Sequence, residues 1–132
     1  SALTDQGLKG LANGLNALQA LTHLDLNFCS CSLITDQGLD KLARALSSLS
    51  NLSNLNMIFS FCKNISNEGV KNLFSIIKIL QSLSRLSLVF QYCAAITEKA
   101  VEKASSDLET ALSSLTAYNI VFDHITLKNM GI

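Results

Sequence analysis

The amino-acid sequence predicts an α/β fold arranged as a curved solenoid of about four units, with a parallel sheet on the concave face and helices on the convex face. Two observations predict it. The first is self-similarity: the stretches starting at Leu3, Ile34, Ile65 and Ile96 (Leu-Thr-Asp-Gln-Gly-Leu, Ile-Thr-Asp-Gln-Gly-Leu, Ile-Ser-Asn-Glu-Gly-Val and Ile-Thr-Glu-Lys-Ala-Val) begin 31 residues apart each time. A fixed period of that size marks a repeat architecture. The second is that each period contains a block of helical spacing followed by a block of alternating spacing. One such unit cannot bury its own apolar face, so the units must stack, strand beside strand and helix beside helix.

The helical block is clearest in the second unit, where Leu39, Leu42, Leu46 and Leu49 are spaced three, four and three apart and so share one helix face. It recurs as Leu11/Leu15/Leu18 and as Leu73/Ile77/Leu80. Thr35 stands where a hydroxyl caps a free backbone N–H, Asp36 suits the positive helix end, and Gly38 allows close approach. The strand block alternates: Leu24, Leu26 and Phe28, then Leu55, Met57 and Phe59, then Leu86, Leu88 and Phe90 put one side of each strand into a core. In the fourth unit Leu115, Tyr118, Ile120 and Phe122 keep this pattern if one extra residue enters between Leu108 and Leu112. Leu127, Gly131 and Ile132 then return to the frame of Ile96, Ala100 and Val101, which predicts the start of a fifth helix. Phe122, Leu127, Met130 and Ile132 are therefore expected on an uncapped end, open to an end-on contact. The chain, which starts at Ser1, is expected to be a fragment of a longer repeat array.

Composition bounds the rest. A chain of 132 residues with 48% hydrophobic content supports one core of ordinary size, so residues 1–132 are read as one domain. Ten basic residues balance ten acidic ones, a charge that neither neutralises a phosphate backbone nor holds an anionic bilayer, so nucleic acid and membrane are not expected as partners. Apolar runs are short and no basic segment precedes one, so no spanning or targeting segment is predicted. The absence of proline and tryptophan argues against a linker-rich chain.

The block Leu-x-x-Leu-x-Leu at residues 21–26 and 83–88 resembles the core of the leucine-rich repeat family. Cys31-x-x-Ile34-Thr35-Asp36-x-Gly38-Leu39 resembles the cysteine-containing repeats of F-box-associated proteins, and the length of the helical block is similar to the ribonuclease-inhibitor type. The resemblance covers essentially the whole chain. It implies a protein-binding scaffold whose usual contact face is the concave sheet.

The residues with chemical potential point to structure more than to catalysis. Cys31, Cys62 and Cys93 recur at the period, with His124 in the fourth place, which invites a zinc reading. Tetrahedral zinc needs ligands converging from different directions, whereas a ladder points them in parallel, and Cys29-x-Cys31 is not a finger spacing. Buried reduced thiols are the expected state, and they indicate a reducing compartment, cytoplasm or nucleus. His23, Asp25 and Cys29 share a strand parity and form at most a weak triad-like set. Glu98/Glu102 and Asp36/Asp40 read as solvated helix charge, Gly7, Gly38 and Gly69 as packing positions, and Asn51 and Asn64 as accidental glycosylation sequons. The chain is not expected to be an enzyme or to carry a cofactor.

Strand parity also names the concave face. Residues between the buried leucines point the other way, giving the rows His23, Asp25, Asn27; Asn54, Asn56, Ile58; Arg85, Ser87, Val89; and Ala117, Asn119, Val121, continued by Cys29, Ser60, Gln91 and Asp123. Ile58, Val89 and Val121 make an apolar strip edged by polar residues, the composition of an interface centre with its rim, and Arg85 is the expected anchor. Two functions follow as expectations: a scaffold that binds a protein through this face, as in substrate recruitment within a larger protein, or a structural subunit of a large intracellular assembly held by its ends and convex helices.

Overall fold

The computed structural model describes residues 3–129, and within them helix and strand alternate from the first element. The order is α1 (Asp5–Leu15), β1 (His23–Asn27), α2 (Asp36–Leu46), β2 (Asn54–Ile58), α3 (Asn67–Ile77), β3 (Arg85–Val89), α4 (Glu98–Leu112), β4 (Ala117–Val121) and β5 (Thr126–Lys128). The sheet runs β1-β2-β3-β4-β5. Its first four strands are parallel; β5 is antiparallel to β4. The period is visible as register: His23 pairs with Asn54 and Asn54 with Arg85, while the next step, Arg85 to Ala117, is one residue longer. That extra residue is absorbed because α4 has 15 residues where α1, α2 and α3 have 11 each, and the turn after it is shorter. Phe122 and Leu127 lie within the described residues; Gly131, Met130 and Ile132 lie outside them.

One hydrophobic cluster joins the helices to the inner face of the sheet. Its centre is a column of phenylalanines, Phe28, Phe59, Phe90 and Phe122, with successive ring centroids 5.3, 5.2 and 5.2 Å apart. Each follows its strand at the same register, so identical rings meet by translation, and each pair adds about 0.5–1.5 kcal/mol beyond the burial of the rings. The thiols follow the same translation. Cys62 Sγ–H donates to the carbonyl of Phe28 and Cys93 Sγ–H to that of Phe59, both at 3.1 Å.

Two local readings are corrected. The helical spacing extends to Leu49, yet α2 ends at Leu46, because Ser48 N and Leu49 N bond back to the carbonyls of Ala45 and Leu46 in a tightened turn. Leu49 enters the core from that turn, with 1% of its surface exposed. The larger correction concerns the far end. Thr126–Lys128 form β5, which closes the edge of β4; the fifth helix expected over Gly131 and Ile132 lies outside the described residues. Phe122, expected on an open end, is buried and touches Phe74 edge-on as well as stacking on Phe90. Leu127 is half-buried against the core. Asn129 completes the closure: its Oδ1 accepts from Tyr118 N at 3.1 Å and its Nδ2 donates to Thr116 O at 2.8 Å, replacing the backbone partners a further strand would supply.

The helix starts carry a clamp that local periodicity does not reveal. Asp5 Oδ1 accepts from Thr35 N at 2.8 Å and its Oδ2 accepts from the Thr35 hydroxyl. One unit on, Asp36 does the same for Ser66 N and the Ser66 hydroxyl. Asn67 follows with Thr97, its Oδ1 accepting from Thr97 N at 2.8 Å. The first residue of each helix thus ties the cap of the next helix, so Asp36 is more than solvated helix charge. Gly38 makes room for it: a Cβ there would lie 2.2 Å from Asp5 Oδ1, and one on Gly69 would lie 2.3 Å from Asp36 Oδ1.

Candidate functional site: the open face of the sheet

Helices cover one side of the sheet, and the other side carries the side chains of opposite parity. Strand pairing places these in three continuous rows: His23–Asn54–Arg85–Ala117, Asp25–Asn56–Ser87–Asn119 and Asn27–Ile58–Val89–Val121. All twelve are exposed or half-buried, whereas Leu55, Met57, Leu86, Leu88 and Ile120 behind them are buried. Of the four that continue the rows past the strand ends, Ser60 is buried, whereas Cys29, Gln91 and Asp123 are exposed. The structure therefore brings together every residue that parity assigned to this face within the strands.

The first two rows floor an open groove of about 590 Å³. Lys128 and Asn129 wall it on the β5 side. Sequence reasoning missed both, because it placed Leu127 before a helix; the usable signal was the alternation Thr126-Leu127-Lys128, too short to stand against the repeat frame. Lys128 pairs directly with Asn119, so it faces the same side as the second row. The third row, with Ile58, Val89 and Val121, runs beside the groove as a half-buried apolar strip.

The groove is polar but unevenly satisfied. Asn56 Nδ2 donates to Asp25 Oδ1 at 3.1 Å, and Asn54 Oδ1 accepts from the Ser53 hydroxyl at 2.9 Å. His23 Nδ1 lies 2.9 Å from Thr22 Oγ1. Asp25 therefore holds Asn56 while His23 holds Thr22, and the triad-like set of His23, Asp25 and Cys29 is not drawn into a relay; Cys29 bonds through its backbone N to Asn27 Oδ1. Arg85 and Lys128 have no carboxylate partner: the one ion pair among the described residues is Arg44 with Asp40, on α2.

The thiols of Cys62 and Cys93 lie on the core side of the sheet. Burial pushes Cys62 up from 9.0 to about 11, and burial likewise raises Cys93, so both remain protonated at neutral pH. Among the described residues no three His, Cys, Asp or Glu side chains are placed to hold a metal ion, and no disulfide joins the four cysteines. Cys29 is exposed and Cys31 buried. Likewise no helix of the described residues is long and apolar enough to cross a membrane.

A second exposed feature follows the strands. Ser30, Phe61 and Tyr92 take left-handed backbone angles at the same point of three units, with φ of 62, 61 and 59°. Such angles are unusual for aromatic residues. The Phe61 and Tyr92 rings are about half exposed and stack on each other at 4.6 Å. Sequence reasoning passed over these positions; the 31-residue spacing of Phe61 and Tyr92 was the usable signal.

No protein-family model matches the chain, and no curated protein matches it. The case for a function therefore rests on the geometry of the sheet face.

Proposed function

We propose that this chain is a leucine-rich-repeat solenoid that binds a protein partner through the open, concave face of its sheet, without catalysis of its own, in a reducing intracellular compartment. The observation that carries the reading is the three-row face. A parallel sheet is ordinarily covered on both sides, yet here one side bears rows of hydrogen-bonding side chains, an apolar strip and a groove. His23, Asp25, Asn27, Asn54, Asn56, Ile58, Arg85, Ser87, Val89, Asn119 and Val121 form the contact surface, with Arg85 as its anchor. The Leu-x-x-Leu-x-Leu blocks support the family assignment. Protonated, core-facing thiols at Cys62 and Cys93 suit a reducing compartment.

A second reading, a structural subunit held by its ends and helices, is favoured by one observation: Leu11, Leu21, Leu24 and Leu26 at the β1 end are only half-buried. Affinity capture with quantitative mass spectrometry separates the two. The native chain and an Asn56→Arg, Val89→Asp double variant have the same core. Loss of a specific protein from the variant's captured set supports binding through the sheet face. Identical sets from both chains contradict it and favour the ends and helices.

A further inference from the structure

We propose that the groove takes an extended peptide segment of the partner and seats one acidic side chain of that segment between Arg85 and Lys128. This rests on the protein-binding reading and adds the chemistry of the ligand. The carrying observation is charge without a partner: a guanidinium and an ammonium on the same face, both lining the groove, neither paired with a carboxylate of the described residues. Asp25, the acidic residue of the groove, lies two strands from Arg85 and is held by Asn56 Nδ2.

Position reinforces charge. Arg85 pairs across the sheet with Ala117, and Lys128 pairs with Asn119, two residues further along β4. The two cations therefore flank the β4 strand from either side, with backbone positions about 12 Å apart, two strand spacings across and two residues along. On the open face of β4, Ala117 stands beside Arg85 and Asn119 beside Lys128, so the small Ala117 side chain leaves the Arg85 stem unobstructed toward β5. A carboxylate entering there meets a bidentate donor and a point charge together, the arrangement that gives the stronger kind of hydrogen bond. An extended main chain fits the remainder, because the side-chain amides of Asn54, Asn56 and Asn119 are spread across the groove and can donate to and accept from successive peptide groups. A basic segment would leave both cations uncompensated and is excluded by the same charges.

The test uses the full chain, ¹⁵N-labelled, and three short probes: Ac-Ala-Ser-Glu-Ser-Ala-NH₂, its Lys counterpart, and a Gln counterpart ending in a free carboxylate. Titration followed by amide chemical shifts is expected to move Arg85, Ala117, Asn119 and Lys128 with the Glu probe, at least about fivefold more tightly than with either other probe. The Arg85→Gln, Lys128→Gln double variant, which alters two surface side chains and no core contact, is expected to lose that preference; so is the native chain in about 1 M salt. Equal binding of the Glu and Lys probes on this face overturns the acidic-side-chain assignment while leaving the protein-binding reading standing. Preference for the free carboxylate overturns the side-chain source in favour of a chain terminus. Shifts confined to residues outside the sheet face overturn both the proposal and the reading beneath it.

Discussion

The two ends of the sheet are made from the same repeat and finish differently. At the β4 end, β5 supplies an antiparallel partner, Asn129 supplies side-chain hydrogen bonds in place of a further strand, and Ile120 and Phe122 are 0% and 3% exposed. At the β1 end, Leu24 and Leu26 are only half-buried, although Leu55 and Met57, their counterparts one unit on, are 2% and 0% exposed. Leu18 is 51% exposed where Leu49 is 1% exposed. The same residue type at the same repeat position is thus core in one unit and surface in another. Burial in a stacked array belongs to the neighbour, not to the residue.

The largest effect expected from this contrast comes from truncating equivalent apolar side chains at the two ends. Phe122→Ala removes a ring packed against Phe90 and Phe74 and is expected to cost about 3–5 kcal/mol in urea unfolding. Leu24→Ala, at the β1 edge, is expected to cost about 1 kcal/mol, because part of its surface is already in water. Similar losses for both variants would erase the asymmetry.

Next in size is the clamp between units. Gly38→Ala drives a methyl into the Asp5 carboxylate, and the two hydrogen bonds to Thr35 go with it, so a net loss of about 2 kcal/mol is expected even after the gain in helix propensity. Gly10, inside α1, has open space where a Cβ would stand, with nothing within 4 Å, and gives the opposite sign. Gly10→Ala is expected to stabilise by about 0.5–1 kcal/mol. Thermal unfolding of the two variants side by side checks both signs.

A comparable effect is conditional on pH. Cys62 ionises at about 11 when folded and near 9.0 when unfolded, so the folded state holds the proton longer. Stability from this group is fully present below pH 9 and falls as pH rises toward 11, by about 2–3 kcal/mol in all. Urea midpoints measured across that window are expected to fall more steeply for the native chain than for Cys62→Ala. Equal slopes would mean the thiol is not buried as described.

Much of this was legible in the sequence, and what was not shares one physical cause. Parity within Leu24-x-Leu26-x-Phe28 and its copies assigned the open face correctly within the strands, because alternation is a property of a few neighbouring residues. The extra residue before Leu112 was also legible, as a shift of frame. Asp5 reaching Thr35 was not, since a contact across 30 residues leaves no local pattern. Leu127 was misread for a related reason: the repeat frame is strong, but β5 obeys the need to pair the exposed edge of β4 instead. With β5 went Lys128 and Asn129, and with them one wall of the groove.

Hydrogen exchange of native-state amides tests the unequal ends most directly. Phe122 N donates to Ile125 O at 2.9 Å and Tyr118 N to Asn129 Oδ1, so both amides of the β4 edge are engaged. On β1, Phe28 N donates to Ile58 O, which leaves Asp25 N, of opposite parity, facing outward from the sheet. Strong protection at Tyr118 and Phe122 with rapid exchange at Asp25 is the expected result; rapid exchange at Phe122, or protection at Asp25 equal to that of Asn56, would contradict it.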